Sequence, residues 1–215
     1  MNKTIFNSAP TEEDWRMAKN HCRTTDNKDF TEKDPSVEFK RKLLISEHSP
    51  IRRLMWDWTW KDIPYWVSTE WSRHKFEKFI STQRDDRLID DIPRGKKPQD
   101  ALVRYDGWGN MQNLIDSWRK RLCFKATKEA RELAEDFKYE LSNSYPVEAM
   151  MLVPNCIYRC GCPEFESCGY FKKFKEYYEQ TPLHEEHDLF DIWSRYIVYN
   201  TMFYQDYVTN HQEDL

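Results

Sequence analysis

The chain contains few glycines and no long apolar run. Five of its 215 residues are glycine, and neither a G-x-G-x-x-G nor a G-K-[ST] pattern occurs. These absences exclude the common dinucleotide-binding fingerprint and the P-loop. No apolar stretch approaches the roughly 18 residues of a membrane-spanning helix, and no signal peptide is apparent at the start. We therefore expect a soluble, cytoplasmic protein with no membrane partner.

The chain also lacks a strong excess of charge of either sign. It carries 33 Lys and Arg residues against 37 Asp and Glu residues, for a net charge of −4. This balance gives no general attraction to nucleic acid, so anion binding must be local, and we do not expect nucleic acid as a partner. The length fits one domain, or one domain with an appendage, and allows a sizeable core.

Aromatic residues, by contrast, are abundant: nine Trp, twelve Tyr and twelve Phe. Between Arg53 and Lys61, Trp56, Trp58 and Trp60 alternate with mostly polar residues, which predicts a half-buried strand. Further helices and loops are predicted from periodicity, capping residues and prolines. The helices are placed just after residues 11–14, at 34–46, from Pro64 to His74, at 110–122, 126–141, 146–152, 170–178 and 183 to about Val208, and a surface loop at 84–107.

The most distinctive charged segment runs from residue 71 to 87. It contains Arg73-His74-Lys75, then Ser81-Thr82-Gln83-Arg84, and ends at Arg87. Arginine offers a planar fork of donors that matches phosphate, and lysine adds a point charge, so the segment predicts a site for a multiply charged anion. A solvated charged surface is the alternative. The segment begins where a helix is predicted to end, a common place for a binding loop.

Four of the six cysteines fall within thirteen residues of one another in the C-terminal third. They are Cys156, Cys160, Cys162 and Cys168. In a reducing compartment such a group favours a metal over disulfides, and four thiolates can form a closed, structural zinc site that holds the C-terminal helices on the core. An iron–sulfur cluster and free buried thiols are the alternatives.

Several segments, taken in order, resemble the flavin-dependent thymidylate synthases. The family's signature is R-H-R, a short spacer, then a serine and an arginine. The matching segments are Glu47-His48-Ser49-Pro50, the aromatic strand, the helix begun by Pro64, Arg73-His74-Lys75, Ser81-Thr82-Gln83-Arg84, Asn110 to Arg121, Glu129, Arg131 and Ala130 to Leu152. The resemblance covers about residues 36–153. We divide the chain into an N-terminal helical segment (1–35), this core, and a cysteine-containing helical extension (154–215).

The resemblance implies an α+β fold, with helices packed on an antiparallel sheet and a helical C-terminal extension. It also implies a homotetramer with active sites between subunits. Enzymes of this family use FAD and NADPH to transfer a one-carbon unit from methylenetetrahydrofolate to dUMP. The implied activity is therefore a methyltransferase of nucleotide biosynthesis that acts on a small-molecule nucleotide.

The family's functional positions transfer to particular residues of this chain. The implied FAD contacts are Ser49, Arg73, His74, Lys75, Asn110 and Lys125. The implied nucleotide contacts are Glu70, Ser81, Thr82, Gln83, Arg84, Arg87 and Arg121. Arg121 would be catalytic, because a guanidinium beside the pyrimidine stabilises negative charge on its carbonyl oxygens. We expect His74 to be neutral in this cationic neighbourhood.

The chain also departs from the family pattern. Lys75 replaces an arginine and loses its fork of donors, and Lys125 stands where the family often has a histidine. The spacer is one residue short, so Ser81 and Thr82 remain alternatives, as do Arg84 and Arg87 as the phosphate ligand. Modification of another pyrimidine nucleotide, or a non-catalytic protein that binds a nucleotide or nucleic acid, are therefore alternative functions.

Overall fold

A computed structural model describes residues 3–87 and 92–204 of the chain. Its sheet has four antiparallel strands in the order β1-β2-β4-β3. The strands are β1 (Thr4–Ser8), β2 (Met55–Pro64), β3 (Glu77–Ile80) and β4 (Leu102–Asn110). Together with the packed helices, this sheet confirms the expected α+β class.

The helices follow the strands and continue through the C-terminal part. They are α1 (Glu12–Thr25), α2 (Val37–Ile45), α3 (Tyr65–Trp71), α4 (Met111–Arg121), α5 (Lys128–Ser144), α6 (Pro146–Ala149), α7 (Asn155–Tyr158), α8 (Tyr170–Gln180), α9 (Leu183–Glu186) and α10 (Ile192–Val198). Short 3₁₀ turns span Ser49–Arg53, Asp85–Arg87 and Arg94–Lys96, and a π-helical turn spans Tyr199–Phe203. None of the helices in the described ranges is long and apolar enough to cross a membrane.

Aromatic side chains form the centre of the core. Trp56, Trp58 and Trp60 alternate along β2 and are fully buried, as the alternation predicts. The ring of Trp58 lies 6.0 Å from that of Trp118 on α4 and 5.3 Å from that of Phe137 on α5. Such edge-to-face contacts add to the stabilisation from burial. Helices α4 and α5 therefore cover the inner face of the sheet.

Two helix starts are fixed by reciprocal side-chain caps. At α1 the predicted capping box is present, with Thr11 and Asp14 each accepting a hydrogen bond from the other's backbone N–H. At α4, Asn110 and Asn113 do the same. Each cap satisfies backbone donors that a helix end leaves unpaired, so both helices begin where the sequence places them.

Strand β4 corrects the expected loop at 84–107. Its inward positions alternate from Val103 and Tyr105 to Gly107 and Gly109, all buried. The two glycines hide the apolar alternation that identifies a strand in sequence. A Cβ at Gly107 would lie 2.2 Å from the Trp58 ring, so the tryptophan occupies the space that a side chain would need.

The N-terminal segment is not wholly helical, because β1 precedes α1. This edge strand pairs with β2, and the Trp60 indole donates a hydrogen bond of 2.9 Å to the Thr4 hydroxyl. The backbone N–H of Thr4 also donates to Asp136 on α5, at 2.7 Å. A five-residue strand with mixed exposure carries little sequence signal, and its partners lie far away in the chain.

Two helix boundaries also differ from expectation. Helix α3 ends at Trp71, and Ser72 to Phe76 form turns, so His74 lies in a loop. The helical pattern that begins at residue 183 is interrupted, because residues 187–191 separate α9 from α10. Its expected end near Val208 lies outside the described residues.

Candidate functional site

Three side chains from different elements form a hydrogen-bonded group next to the predicted anion-binding loop. The Arg121 Nε–H, at the end of α4, donates to His74 Nε2 at 2.7 Å. Its two terminal nitrogens donate to the Glu70 carboxylate at 3.1 Å and to the Glu70 backbone carbonyl at 2.7 Å. The Thr127 hydroxyl also donates to the Glu70 carboxylate, at 3.1 Å. We call Glu70, His74 and Arg121 the Arg121 triad.

The turn that carries His74 is held by local contacts. The Lys78 ammonium donates to the backbone carbonyls of Ser72, at 2.9 Å, and His74, at 2.7 Å. The imidazole lies parallel to the Phe76 ring, with 6.2 Å between centroids, and 5.5 Å from the buried Trp71 ring. The histidine is therefore fixed in position before any ligand arrives.

The environment keeps His74 neutral. Its pKa is lowered to about 4, mainly by burial and further by the positive charges of Arg121 and Lys78. Because Nε2 accepts the Arg121 hydrogen bond, we infer that the neutral ring carries its proton on Nδ1. Burial also lowers the pKa of Arg121, while Glu70 opposes that change.

A cavity of about 280 Å³ opens beside the triad. Its lining residues are His74, Lys120, Arg121, Cys123, Lys125, Ala126 and Glu164. Lys120 and Lys125 form ion pairs of 4.0 Å with Glu164 and Glu166. Ion pairs between such exposed ends are weak, so an anion could replace them at little cost. Arg121 contributes a third positive charge, and two of its five N–H groups are not used within the triad.

A second basic cavity, of about 240 Å³, contains the other half of the predicted loop. Its lining residues are Tyr65, Ile80, Ser81, Thr82, Gln83, Arg84 and Arg94. Ser81 is fixed by its pairing with Arg104: the Ser81 N–H donates to the Arg104 carbonyl at 2.9 Å, and the Arg104 N–H donates to Ser81 Oγ at 3.0 Å. The sequence reasoning missed Arg94, because it lies in the expected surface loop.

The two candidate phosphate ligands differ in position. Arg84 lines the second cavity and forms two hydrogen bonds to the Asp86 carboxylate, at 3.0 and 2.8 Å. Arg87 ends the 3₁₀ turn Asp85–Arg87, is exposed, and is not among the lining residues of this cavity. The geometry therefore favours Arg84 over Arg87.

The remaining predicted cofactor residues are more dispersed. Arg73 and Lys75 are exposed on either side of His74. Asn110 accepts a hydrogen bond from the Asn113 N–H at 3.0 Å as the cap of α4. Ser49 lies in another cavity, with His21, Thr25, Pro50 and Arg53. The triad residues and Lys125 come together, whereas Ser49 does not join their cavity.

The predicted zinc set is not assembled in the part of the chain that the structure describes. Within residues 3–87 and 92–204, no three His, Cys, Asp or Glu side chains lie close enough to hold a metal ion. The Cys160 thiol points to the backbone carbonyl of Leu189, at 3.7 Å. The Cys160 backbone has a left-handed φ of 53°, so the chain turns sharply at this residue.

Comparisons with known proteins find solved structures with a similar fold. No family model matches the chain, and no curated protein does. Among solved structures, the flavin-dependent thymidylate synthase ThyX from Helicobacter pylori, complexed with FAD and dUMP, has 15% identity and a TM-score of 0.56, covering 70% of this chain and 99% of that one. A second structure of that protein has 14% identity and a TM-score of 0.54, covering 72% and 98%.

A UMP/dUMP methylase, PolB from Streptomyces cacaoi bound with 5-Br dUMP, is also similar, with 13% identity and a TM-score of 0.55, covering 69% of this chain and 93% of that one. The chain therefore has the fold of the flavin-dependent thymidylate synthases, as the resemblance implied. At these identities it is a divergent representative of the fold.

Proposed function

We propose that this protein is a flavin-dependent methyltransferase that acts on dUMP. FAD would be the cofactor, with NADPH and methylenetetrahydrofolate as co-substrates. The observation that carries the proposal is the Arg121 triad: a guanidinium oriented by a carboxylate and a neutral histidine, beside a basic cavity. It occurs in a fold whose solved examples include complexes with FAD and dUMP.

The residues around the triad fit a flavin nucleotide. Lys120 and Lys125 at the cavity, with the exposed Arg73 and Lys75, supply positive charge for a pyrophosphate. His74 offers an uncharged N–H close by, and hydrogen bonds near a flavin ring tune its reactivity. When bound, FAD would supply hydride transfer and mediate the one-carbon transfer.

Arg121 would stabilise the charge that develops on the nucleotide. A uracil ring that becomes nucleophilic at carbon 5 gains negative charge on its carbonyl oxygens, and a pre-oriented guanidinium lowers the energy of that state. Glu70 and His74 hold the guanidinium from one side. Its two remaining N–H groups would donate to the pyrimidine, and Glu70 would act as the positioning residue.

The second cavity would hold the phosphate. Ser81 and Thr82 supply hydroxyl groups, and Arg84 and Arg94 supply guanidinium groups. Arg84 would exchange the Asp86 carboxylate for the phosphate, which costs little because the ion pair is exposed. We further propose a cytoplasmic homotetramer in which one subunit's phosphate cavity serves the triad of another.

A non-catalytic nucleotide-binding protein is the second candidate function. It is favoured by the number of contacts that Arg121 makes within the chain, because three of its N–H groups are already used. In this case the triad would be a structural connection between α3 and α4. Nucleotide would bind through the Ser81–Arg84 cavity, without a flavin.

A visible absorbance spectrum with a dUMP titration separates the two functions. The purified chain, incubated with FAD, should retain flavin bands that shift as dUMP is added. It should then convert dUMP when NADPH and methylenetetrahydrofolate are present. Arg73→Ala should lose the flavin, whereas the exposed Arg52→Ala should retain it. Binding of dUMP without flavin would favour the non-catalytic function, and no binding of either would contradict both.

The phosphate assignment is tested by comparing two arginines. Arg84→Ala should weaken dUMP binding about tenfold or more, because a charged hydrogen bond to phosphate contributes about 1.5–3 kcal/mol. Arg87→Ala, outside the cavity, should leave affinity within about twofold. Isothermal titration with dUMP measures both. Equal dUMP affinities for the two variants would show that Arg84 is not the phosphate ligand.

A further inference from the structure

A further cavity, of about 490 Å³, is formed by α5, the residues around α6 and the π-helical turn. Among its lining residues are Glu135, Lys138, Tyr139, Ala149, Met150 and Asn200. Rings and aliphatic groups provide most of the lining, and the volume is typical of sites for small molecules, roughly 300–1,000 Å³. None of these residues belongs to the proposed nucleotide site, so the cavity has no role in the proposed methyltransferase.

Lys138 is a buried lysine in the wall of this cavity. It is 8% exposed, whereas the neighbouring lining residue Tyr139 is 62% exposed, so Lys138 lies deep and Tyr139 lies near the opening. The Lys138 amine donates to the side-chain oxygen of Asn200. It also lies 5.0 Å from the centroid of the Tyr199 ring and 5.2 Å from that of the Tyr204 ring. The amine is therefore held in one position.

The Asn200 side chain is itself oriented by backbone groups. Its Nδ2 donates to the carbonyl oxygen of Met150, at 3.1 Å, and to that of Tyr196, at 2.8 Å. Because both amide hydrogens are used in this way, only Oδ1 can face Lys138. The partner of the amine is thus a neutral acceptor, which suits a neutral amine as well as an ammonium.

Lys138 has no anionic partner in the part of the chain that the structure describes. No carboxylate there forms an ion pair with it, and Glu135, one helical turn earlier on α5, pairs instead with Arg131, at 3.5 Å. Lysines are rarely this buried without a charged partner. The pKa of Lys138 is lowered to about 7, mainly by burial, with Glu135 acting in the opposite direction. A large share of the amine is therefore neutral at pH 7, with its lone pair available as a nucleophile.

Glu135 is placed to exchange protons with a ligand in the same cavity. It lines the cavity three residues before Lys138, on the same face of α5. Its side chain is 15% exposed, and its pKa is raised to about 7, mainly by burial. The hydroxyl groups of Tyr199 and Tyr204 stay protonated, because burial raises their pKa values as well. Glu135 and Lys138 are therefore the groups of this cavity that titrate near neutral pH.

The remaining polar groups favour a neutral ligand over an anion. The Ser142 hydroxyl donates to the Tyr139 carbonyl at 2.7 Å, and the Thr201 hydroxyl donates to the Ile197 carbonyl at 2.8 Å. Since their hydrogens are used, these two lining residues offer lone pairs to a ligand, not donors. An anion would meet a single cationic donor with the Glu135 carboxyl group beside it. A carbonyl compound needs only a nucleophile and a proton donor.

We propose that this cavity is a covalent binding site for an aldehyde with an apolar body, and that Lys138 is its nucleophile. A lysine desolvated in an apolar pocket is the form of this residue that reacts with carbonyl groups. The nitrogen lone pair attacks the aldehyde carbon, and a proton passes from nitrogen to oxygen to give a carbinolamine. This inference is independent of the proposed methyltransferase activity.

Glu135 assists the loss of water that follows. Its carboxyl group protonates the carbinolamine hydroxyl, the C–O bond breaks, and water leaves as the C–N double bond forms. The carboxylate then takes the remaining proton from the nitrogen, so Glu135 returns to its starting state. One amine and one aldehyde give one imine and one water, and nothing is oxidised or reduced.

Reductive trapping on the full chain tests the proposal. The chain is incubated with benzaldehyde and cyanoborohydride, which converts an imine to a stable secondary amine, and the adduct is located by peptide mass spectrometry. At pH 7, Lys138 should be labelled at least about tenfold faster than Lys172, whose side chain is 80% exposed, because an ordinary lysine, with a pKa of about 10.4, is almost fully protonated. The ratio should fall at pH 9. Equal labelling at pH 7, or no adduct at Lys138, would overturn the proposal.

A pair of variants on α5 tests the proton donor. Glu135→Gln should slow the labelling of Lys138 at least about fivefold, because it removes the acid that expels water. Glu140→Gln, at an exposed position of the same helix, is the matched control and should leave the rate within about twofold. Equal rates in the two variants would overturn the role of Glu135.

Benzoate, which has a similar shape but carries a negative charge, separates covalent capture from anion binding. Isothermal titration should detect no benzoate binding that Lys138→Met abolishes, since the cavity offers an anion one donor. Benzoate binding that depends on Lys138, with no benzaldehyde adduct at this residue, would assign the cavity to an anion and overturn the proposal.

Discussion

At the scale of single residues, the Arg121 guanidinium connects the end of α4 to Glu70 in the last turn of α3 and to His74 in the turn that follows. Its side chain is 13% exposed and that of Glu70 is 19% exposed. A partly buried pair of this kind becomes costly when one partner is removed, because the remaining charge has been taken out of water. The triad is therefore important for stability whether or not it is catalytic.

Arg121→Ala should lower the free energy of unfolding by about 2–4 kcal/mol, since it leaves the Glu70 carboxylate without its charged partner. Arg121→Lys should lose less, because it keeps the charge but not the fork of donors. Urea denaturation measures both changes. Arg52→Ala, on an exposed residue, is the control and should change the free energy of unfolding by no more than about 0.5 kcal/mol. An effect of Arg121→Ala as small as that of the control would contradict the role of the triad.

The neutral state of His74 predicts a pH dependence. Its pKa is lowered from 6.5 to about 4, so between these values the unfolded chain takes up a proton that the folded chain does not. Stability should therefore fall as the pH is lowered through this range. His74→Gln removes this contribution but keeps an acceptor for Arg121. The difference in urea midpoint between pH 7 and pH 5 should be smaller in the variant; identical differences would show that His74 ionises normally.

At the scale of secondary-structure elements, a glycine on β4 leaves space that a large side chain on the neighbouring strand β2 fills. Gly107 pairs with Trp58 across the ladder, and the indole ring covers the glycine. The core therefore accommodates a large aromatic side chain on one strand by removing the side chain from the next. Gly109 approaches Phe76 in a similar way, since a Cβ there would lie 2.8 Å from the Phe76 Cβ.

Gly107→Ala should therefore be destabilising by about 1–3 kcal/mol, because the new methyl group would overlap a ring that is enclosed by other aromatics. Thermal unfolding followed by circular dichroism measures the effect. Gly95→Ala is the matched control, as no atom lies within 4 Å of a Cβ at that position. A Gly107→Ala variant as stable as Gly95→Ala would mean that Trp58 can move aside.

At the scale of the whole molecule, the C-terminal helices share the core with the sheet. Tyr170, Phe174, Tyr199 and Phe203 belong to the same buried apolar cluster as Trp58. Polar contacts join the two parts as well, since Lys138 on α5 donates to the Asn200 side chain. The division of the chain into core and extension remains a prediction, but the packing is continuous.

We expect the chain to unfold in one cooperative step, because the described part of the extension, up to residue 204, shares one buried apolar cluster with the sheet. Trp193 is the one tryptophan beyond residue 153, so its fluorescence, obtained by difference from Trp193→Phe, reports on the extension. Its transition should coincide with that of far-ultraviolet circular dichroism. An earlier transition for Trp193 would show that the extension opens independently.

The sequence by itself determined the elements with strong local periodicity. The alternation of tryptophans specified β2, and the capping box at Thr11 specified the start of α1. The residue types of the charged segment predicted a site for a multiply charged anion, and the order of the motifs carried the family resemblance that implied the fold. These features are local, since they depend on the spacing of neighbours in the chain and on backbone groups a few residues away.

The tertiary structure alone decided the features that depend on distant partners. Strand β4 has glycines where a strand pattern needs apolar residues, so its place in the sheet depends on the packing of Trp58 against Gly107. The contact of Arg121 with His74 joins residues 47 positions apart. Such contacts arise when packing brings elements together, so the local spacing of residues does not predict them.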